Sequence, residues 1–178
     1  MHDQTQNPVD EARLEALAMA YVARFATSEA RLAGYLRRKA WRRADPTEAS
    51  VWISHICAKL VGLGLVDDRS FADMRARSLV GRGFGARRIG AALYQAGINE
   101  EISGNVIAGY ADQAPELAAD FARRRRIGPY SGLAASPDAF RKALGRMMRA
   151  GHDYAAARAA LTGWEDAGDV SDRTAFTD

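Results

Sequence analysis

The sequence predicts an all-α protein built as a short solenoid of three tandem three-helix repeats. Three observations predict it. Alanine outnumbers valine, isoleucine and threonine combined by 36 to 21, and alanine is the best helix former whereas β-branched residues dominate strands. Apolar residues recur with the 3.6-residue period along most of the chain. The helix-capping residues Asp45, Asn99 and Asp153 return at a spacing of 54, with Ile53, Ile107 and Leu161 each eight positions further on. Gly97 and Gly151 each stand two residues before a cap, so the spacing marks a repeated unit.

The elements follow in order. The first helix carries Leu14, Leu17, Ala18, Tyr21, Val22 and Phe25 on one stripe. Thr27-Ser28 offers an N-cap for a second helix with Leu32, Tyr35 and Leu36 inside. Asp45-Pro46-Thr47-Glu48 joins a capping acid, a first-turn proline and a capping-box glutamate. It opens a third helix whose buried face is Trp52, Ile53, Ile56, Leu60 and Leu63. Asp67 and Asp68 start the fourth, with Phe71 and Met74 inside, and Gly81-Arg82-Gly83-Phe84-Gly85 breaks the chain. The fifth buries Ile89, Ala92, Leu93 and Ala96 and ends at Gly97; Asn99 caps the sixth, which buries Ile102, Val106, Ile107 and Tyr110. Pro115 opens the seventh (Leu117, Phe121), Ser136-Pro137 the eighth (Phe140, Leu144, Met147, Met148), and Asp153 caps the ninth (Tyr154, Ala157, Leu161, Trp164). The division is a flexible lead-in over 1–10, one helical repeat domain over 11–164 with repeats at about 11–64, 65–112 and 113–164, and an acidic flexible tail over 165–178.

Composition excludes several classes. Hydrophobic residues make up 48% and charged residues 26% of 178, the balance of a globular chain and not of a disordered one. The longest uncharged apolar run, Ala16 to Ala23, is far short of the roughly 20 residues that span a bilayer. No signal peptide is expected, because Met1-His2-Asp3-Gln4 offers neither a basic nor an apolar leader region. The single cysteine, Cys57, allows no internal disulfide and no cysteine zinc site. The expected location is the cytoplasm.

The net charge of +3 is unevenly spread: residues 11–164 carry +9 and residues 165–178 carry −4. Within the helical body the middle helix of each repeat holds the excess, at +5 over 28–43, +3 over 82–96 and +3 over 138–150. Stacked repeats would align these helices into a basic stripe of Arg37, Arg38, Arg82, Arg87, Arg88, Arg141 and Arg146, extended by Arg123 and Arg124. Basic residues also gather at helix C-termini for dipole reasons, but Arg87 and Arg88 lie at a helix start, where the dipole disfavours them. Such a stripe suits phosphate or an acidic protein groove.

Nothing in the sequence assembles an active site. His2, His55 and His152 are far apart, and His55 and Cys57 face different sides of a helix. Asp67-Asp68 at a helix start reads as capping, and the glycines at 81, 83 and 85 follow no strand and carry no P-loop lysine. The serines lack a nucleophile elbow. No enzyme activity, cofactor or metal is expected.

Gly64-Leu65-Val66-Asp67-Asp68-Arg69-Ser70-Phe71-Ala72 resembles the Gly-Leu-hydrophobic-Asp-Asp-x-x-Phe-Ala motif of the RecX family, regulators of the RecA recombinase. The likeness continues through Arg77, Gly83, Gly85, Arg87-Arg88-Ile89, Leu93, Gly97-Ile98 and Ile102, and is weaker in the first and third repeats. Ala86 departs from the family's frequent proline, and the third repeat is arginine-rich where relatives often use lysine.

The resemblance implies an elongated, curved solenoid that binds in the groove of RecA filaments on single-stranded DNA. There it would oppose extension or promote disassembly, lowering ATP hydrolysis, strand exchange and repressor co-cleavage. The partners expected are therefore that filament, with weak direct DNA binding, no membrane and a monomeric state. The alternative is a basic helical module that competes for DNA. The sequence leans to the first, because its basic residues are not interleaved with aromatic ones as in single-strand stacking platforms.

Overall fold

The computed structural model describes residues 9–164, so residues 1–8 of the expected lead-in and the whole expected acidic tail, 165–178, lie outside it. Among the described residues there are nine α-helices and no strand: α1 (Glu11–Val22), α2 (Glu29–Ala40), α3 (Pro46–Gly62), α4 (Asp68–Gly81), α5 (Ala86–Gln95), α6 (Glu100–Ala108), α7 (Ala114–Arg124), α8 (Pro137–Arg149) and α9 (Tyr154–Ala159). Two 3-10 turns, Ala111–Gln113 and Gly128–Tyr130, flank α7. No helix among them is long and apolar enough to cross a membrane.

The capping residues read from the sequence start these helices. Asp45 accepts the N–H groups of Thr47 and Glu48, Asn99 that of Ile102 at 2.8 Å, and Asp153 that of Ala156 at 2.8 Å. Each thereby satisfies a donor that a helix start leaves without an intrahelical partner. Asp10, Ser28, Asp67 and Ser136 do the same for α1, α2, α4 and α8. Helix α5 has no side-chain cap of this kind. Its Arg87 N–H instead donates to the Gly151 carbonyl at 3.0 Å.

The described residues divide into two compact units, 9–72 with 94–102 and 73–93 with 103–164. In the first, α1, α2 and α3 pack on one another around Leu14, Leu32, Leu36, Ile56 and Leu60. Each of these is at most 1% exposed, a burial worth about 1.5–3 kcal/mol per side chain. Val9 joins this core and donates its N–H to the Arg43 carbonyl. In the second unit, α7, α8 and α9 pack around Phe121, Ile127, Met147, Leu161 and Trp164.

Several apolar positions fall elsewhere than their spacing predicts. Leu63 is 60% exposed because it is the C-cap of α3, and the chain turns away at Gly64, whose φ is +68°. Phe25 lies beyond the end of α1 and is exposed, tilted against Tyr21. Met74 is exposed because α4 buries the stripe of Ala72, Ala76 and Leu79, and Met74 lies nearly opposite that stripe. Helix α9 stops at Ala159, yet the turn that follows still buries Leu161 and Trp164.

Candidate functional site

The family-motif residues form joints between chain segments. Gly64 takes the left-handed conformation that ends α3, and the Leu65 N–H returns to the Leu60 carbonyl at 2.9 Å. Asp67 caps its own helix through the N–H groups of Arg69 and Ser70 and accepts the Ser70 hydroxyl at 2.7 Å. These bonds, the Ser70 hydroxyl first, hold its carboxyl below the usual aspartate range. Asp68 caps a different helix, accepting the Glu29 N–H at the start of α2. Phe71 and Ala72 are buried, and Arg31 lies over the Phe71 ring. Arg77 is exposed on α4.

The two later motif glycines allow close approaches. A Cβ on Gly85 would lie 2.4 Å from the Gly151 carbonyl oxygen, and one on Gly97 would run into the Ala30 Cβ. The motif therefore records how the backbone is joined. It does not mark a chemical centre.

The arginines of the expected stripe are all exposed. In the first unit Arg37 and Arg38 lie in the last turn of α2. Arg37 borders a cavity of about 640 Å³ with Trp41 on its rim and Ala33, Ile53 and Cys57 lining it. Burial pushes the Cys57 thiol up to about 11, so it is a neutral, apolar lining group at ordinary pH. His55, two residues earlier on α3, pairs its Nδ1 with Glu11 at 2.7 Å. Among the described residues no three His, Cys, Asp or Glu side chains converge as metal ligands would.

In the second unit, Arg82 and Arg88 both lie over the ring of Phe84, at 5.0 and 5.8 Å from its centroid. That gathers them around one aromatic ring. Arg87 lies beside Arg88 in sequence, in the first turn of α5. Arg123 pairs with Asp120 at 2.7 Å, and Arg124 donates to the Gly81 carbonyl. Arg141 pairs with Asp138, which also holds Lys142. Local carboxylates thus partly neutralise Arg123, Arg124 and Arg141. Among the described residues none pairs with Arg37, Arg38, Arg82, Arg87, Arg88 or Arg146.

One expectation from the sequence is corrected here. Basic and aromatic side chains are interleaved: Arg24 lies over Phe25, Lys39 over Tyr35, Arg82 and Arg88 over Phe84, and Arg123 over Tyr130. The i, i+4 spacing of Tyr35 and Lys39 carried that signal. Phe84 and Arg88 share that spacing across the start of α5, whereas the Arg82–Phe84 and Arg123–Tyr130 pairings cross loops without it.

A family model described as RecX, second three-helix domain, matches residues 67–105. The regulatory protein RecX of Myxococcus xanthus is 30% identical over 158 residues, 84% of this chain and 84% of its own. The protein of the same name from Mycobacterium sp. (strain KMS) is 30% identical over 133 residues, 71% of this chain and 70% of its own. A crystal structure of a regulatory protein RecX superposes with a TM-score of 0.66 at 20% identity, over 83% of this chain and 70% of that one. RecX from Lactobacillus salivarius does so with a TM-score of 0.66 at 19% identity, over 87% and 96%.

Proposed function

The chain belongs to the RecX family of regulatory proteins, and on that premise we propose that it binds RecA–DNA filaments and inhibits recombinase activity without catalysing a reaction. The observation that carries this reading is the set of six exposed arginines with no carboxylate partner: Arg37, Arg38, Arg82, Arg87, Arg88 and Arg146. A charge left unpaired on a folded surface is free to meet an anionic groove, whereas Arg123, Arg124 and Arg141 are already partly spent on Asp120 and Asp138. Binding in the filament groove, or at its growing end, would block extension and lower ATP hydrolysis, strand exchange and co-protease activity.

The protein acts in this reading as a cytoplasmic monomer whose three repeats, at about 11–64, 65–112 and 113–164, form one domain. Pull-down of the recombinase with and without single-stranded DNA tests it. Capture that requires the recombinase, and strengthens when DNA has assembled the filament, supports the reading. Capture of DNA alone, with no gain from recombinase, favours competition for DNA, the alternative that the cation–aromatic pairs recommend.

A further inference from the structure

We propose that the face of α2 beside Tyr94 is a binding site for one nucleotide of single-stranded nucleic acid, with Tyr94 stacking on the base and Arg31 and Arg38 holding the phosphates. The site lies wholly within the first unit and goes beyond the filament reading, because it needs no recombinase. It is a cavity of about 460 Å³ bordered by Tyr21, Arg31, Gly34, Arg38 and Tyr94. That volume suits a single small ligand and not a duplex.

Gly34 is the first indication. It sits in the middle of α2, where glycine weakens a helix. A Cβ there would meet only Arg38 Nη1, at 3.6 Å, so packing against another element does not require the glycine. What it provides is an open floor with one cation three residues before it and another four residues after it. Both lie on the same face of the helix.

The same device occurs a second time. Lys142, Gly145 and Arg149 on α8 repeat the spacing of Arg31, Gly34 and Arg38, each displaced by 111 residues. They border another shallow cavity, and Arg149 Nη1 lies 3.3 Å from where a Gly145 Cβ would be. In that copy Asp138 pairs with Lys142 at 2.7 Å and supplies a competing negative charge. Four residues before Arg31, at the offset where Asp138 precedes Lys142, stands the uncharged Thr27, so the α2 triad keeps its positive charge. Among the described residues no carboxylate pairs with Arg31 or Arg38.

Tyr94 decides the ligand class. Tyr94 is 82% exposed, the most of any large hydrophobic among the described residues, and no other ring there stacks on it. An exposed aromatic face beside two cations fits an unstacked base on its phosphate backbone. Duplex DNA keeps its bases stacked and offers only the phosphates.

The test is fluorescence anisotropy with the full chain and a labelled oligothymidylate, in the absence of recombinase, with a duplex of equal length as control. Tyr94→Ala should weaken single-strand binding on the order of tenfold and leave duplex binding nearly unchanged. Arg31→Ala should reduce the salt dependence by about 0.7 in logarithmic slope, the loss of one phosphate contact. Gly34→Leu fills the floor with a better helix former, so its thermal midpoint should match or exceed the parent's while its affinity falls at least about fivefold. Folded Tyr94→Ala or Gly34→Leu protein that keeps full single-strand affinity would overturn the proposal, as would equal losses for duplex and single strand. Neither Tyr94 nor Gly34 belongs to the arginine set of the filament reading, so either reading can fail alone.

Discussion

Asp68 Oδ1 accepts the backbone N–H of Glu29 at 2.8 Å, so a carboxylate at the start of α4 caps α2 across 39 residues of sequence. Its neighbour Asp67 caps α4 itself. The adjacent acids, which sequence alone assigns together to helix initiation, thus start two different helices. The Ser28 hydroxyl ties the start of α2 to a further segment by donating to the Ala96 carbonyl just after α5.

Removing the longer-range cap should therefore cost more than local helix fraying. Asp68→Ala should lose about 1 kcal/mol of stability, with the loss visible in α2 by amide hydrogen exchange. Asp68→Asn, which keeps an acceptor, should recover most of it. Protection loss confined to α4 would show that the Glu29 bond contributes nothing.

The contact of Gly85 with Gly151 predicts a steep response to one methyl group. Because the Cβ of Gly85→Ala would meet backbone atoms at 2.4–2.5 Å, the two segments must separate. A loss of about 1–3 kcal/mol is expected, measured as the urea midpoint. At Gly64 the Cβ would meet nothing within 4 Å but φ is +68°. Gly64→Ala should thus cost about 1–2 kcal/mol through backbone conformation alone.

His152 should make stability fall on acidification. It is 2% exposed and packed against Phe121, and its Nε2 has no hydrogen-bond partner. Burial pushes its pKa below 6.5, against opposing pulls from its bond to the Gly83 backbone and from Asp153. The unfolded chain then binds this proton more readily than the folded one. Its contribution to stability should be full above about pH 6.5 and decline as pH falls below it. Thermal midpoints taken from pH 7.5 to 5 should show this decline, and His152→Phe should flatten it. An equal decline in the variant would assign the acid sensitivity to other groups.

Charge reversal at the start of α5 should separate surface chemistry from folding. Arg87→Glu/Arg88→Glu puts negative charge where the helix dipole favours it, so helicity should survive although Arg88 leaves the Phe84 ring. Inhibition of recombinase ATP hydrolysis should collapse, while Arg13→Glu, outside the arginine set, should behave nearly as the parent. Equal inhibition by the folded double variant would make these arginines a solvated face only.

Much of the fold was legible in the chain. Asp45, Asn99 and Asp153 announce helix starts at their 54-residue spacing because each of their own capping bonds reaches only two or three residues. Likewise the stripe of Leu14 and Ala18 is buried because it follows the helical period. The basic residues of the candidate surface were equally visible, since charge is a property of composition. Which of them have partners was less so: the Asp120 and Asp138 pairs lie at helical spacing, but the gathering of Arg82 and Arg88 on Phe84 depends on the path of a loop.

Sequence by itself determined the helical class, the repeated capping signal, the local caps and the sign of the surface, because each is carried by residue types and by spacings of one or two helical turns. Only the tertiary structure decided that Asp68 serves Glu29, that Gly85 must meet Gly151, and that Tyr94 stands beside Arg31 and Arg38. These relationships join residues 39 to 66 positions apart. No local period encodes them, because they arise only when separate helices pack and bring distant backbone and side chains within a few ångströms.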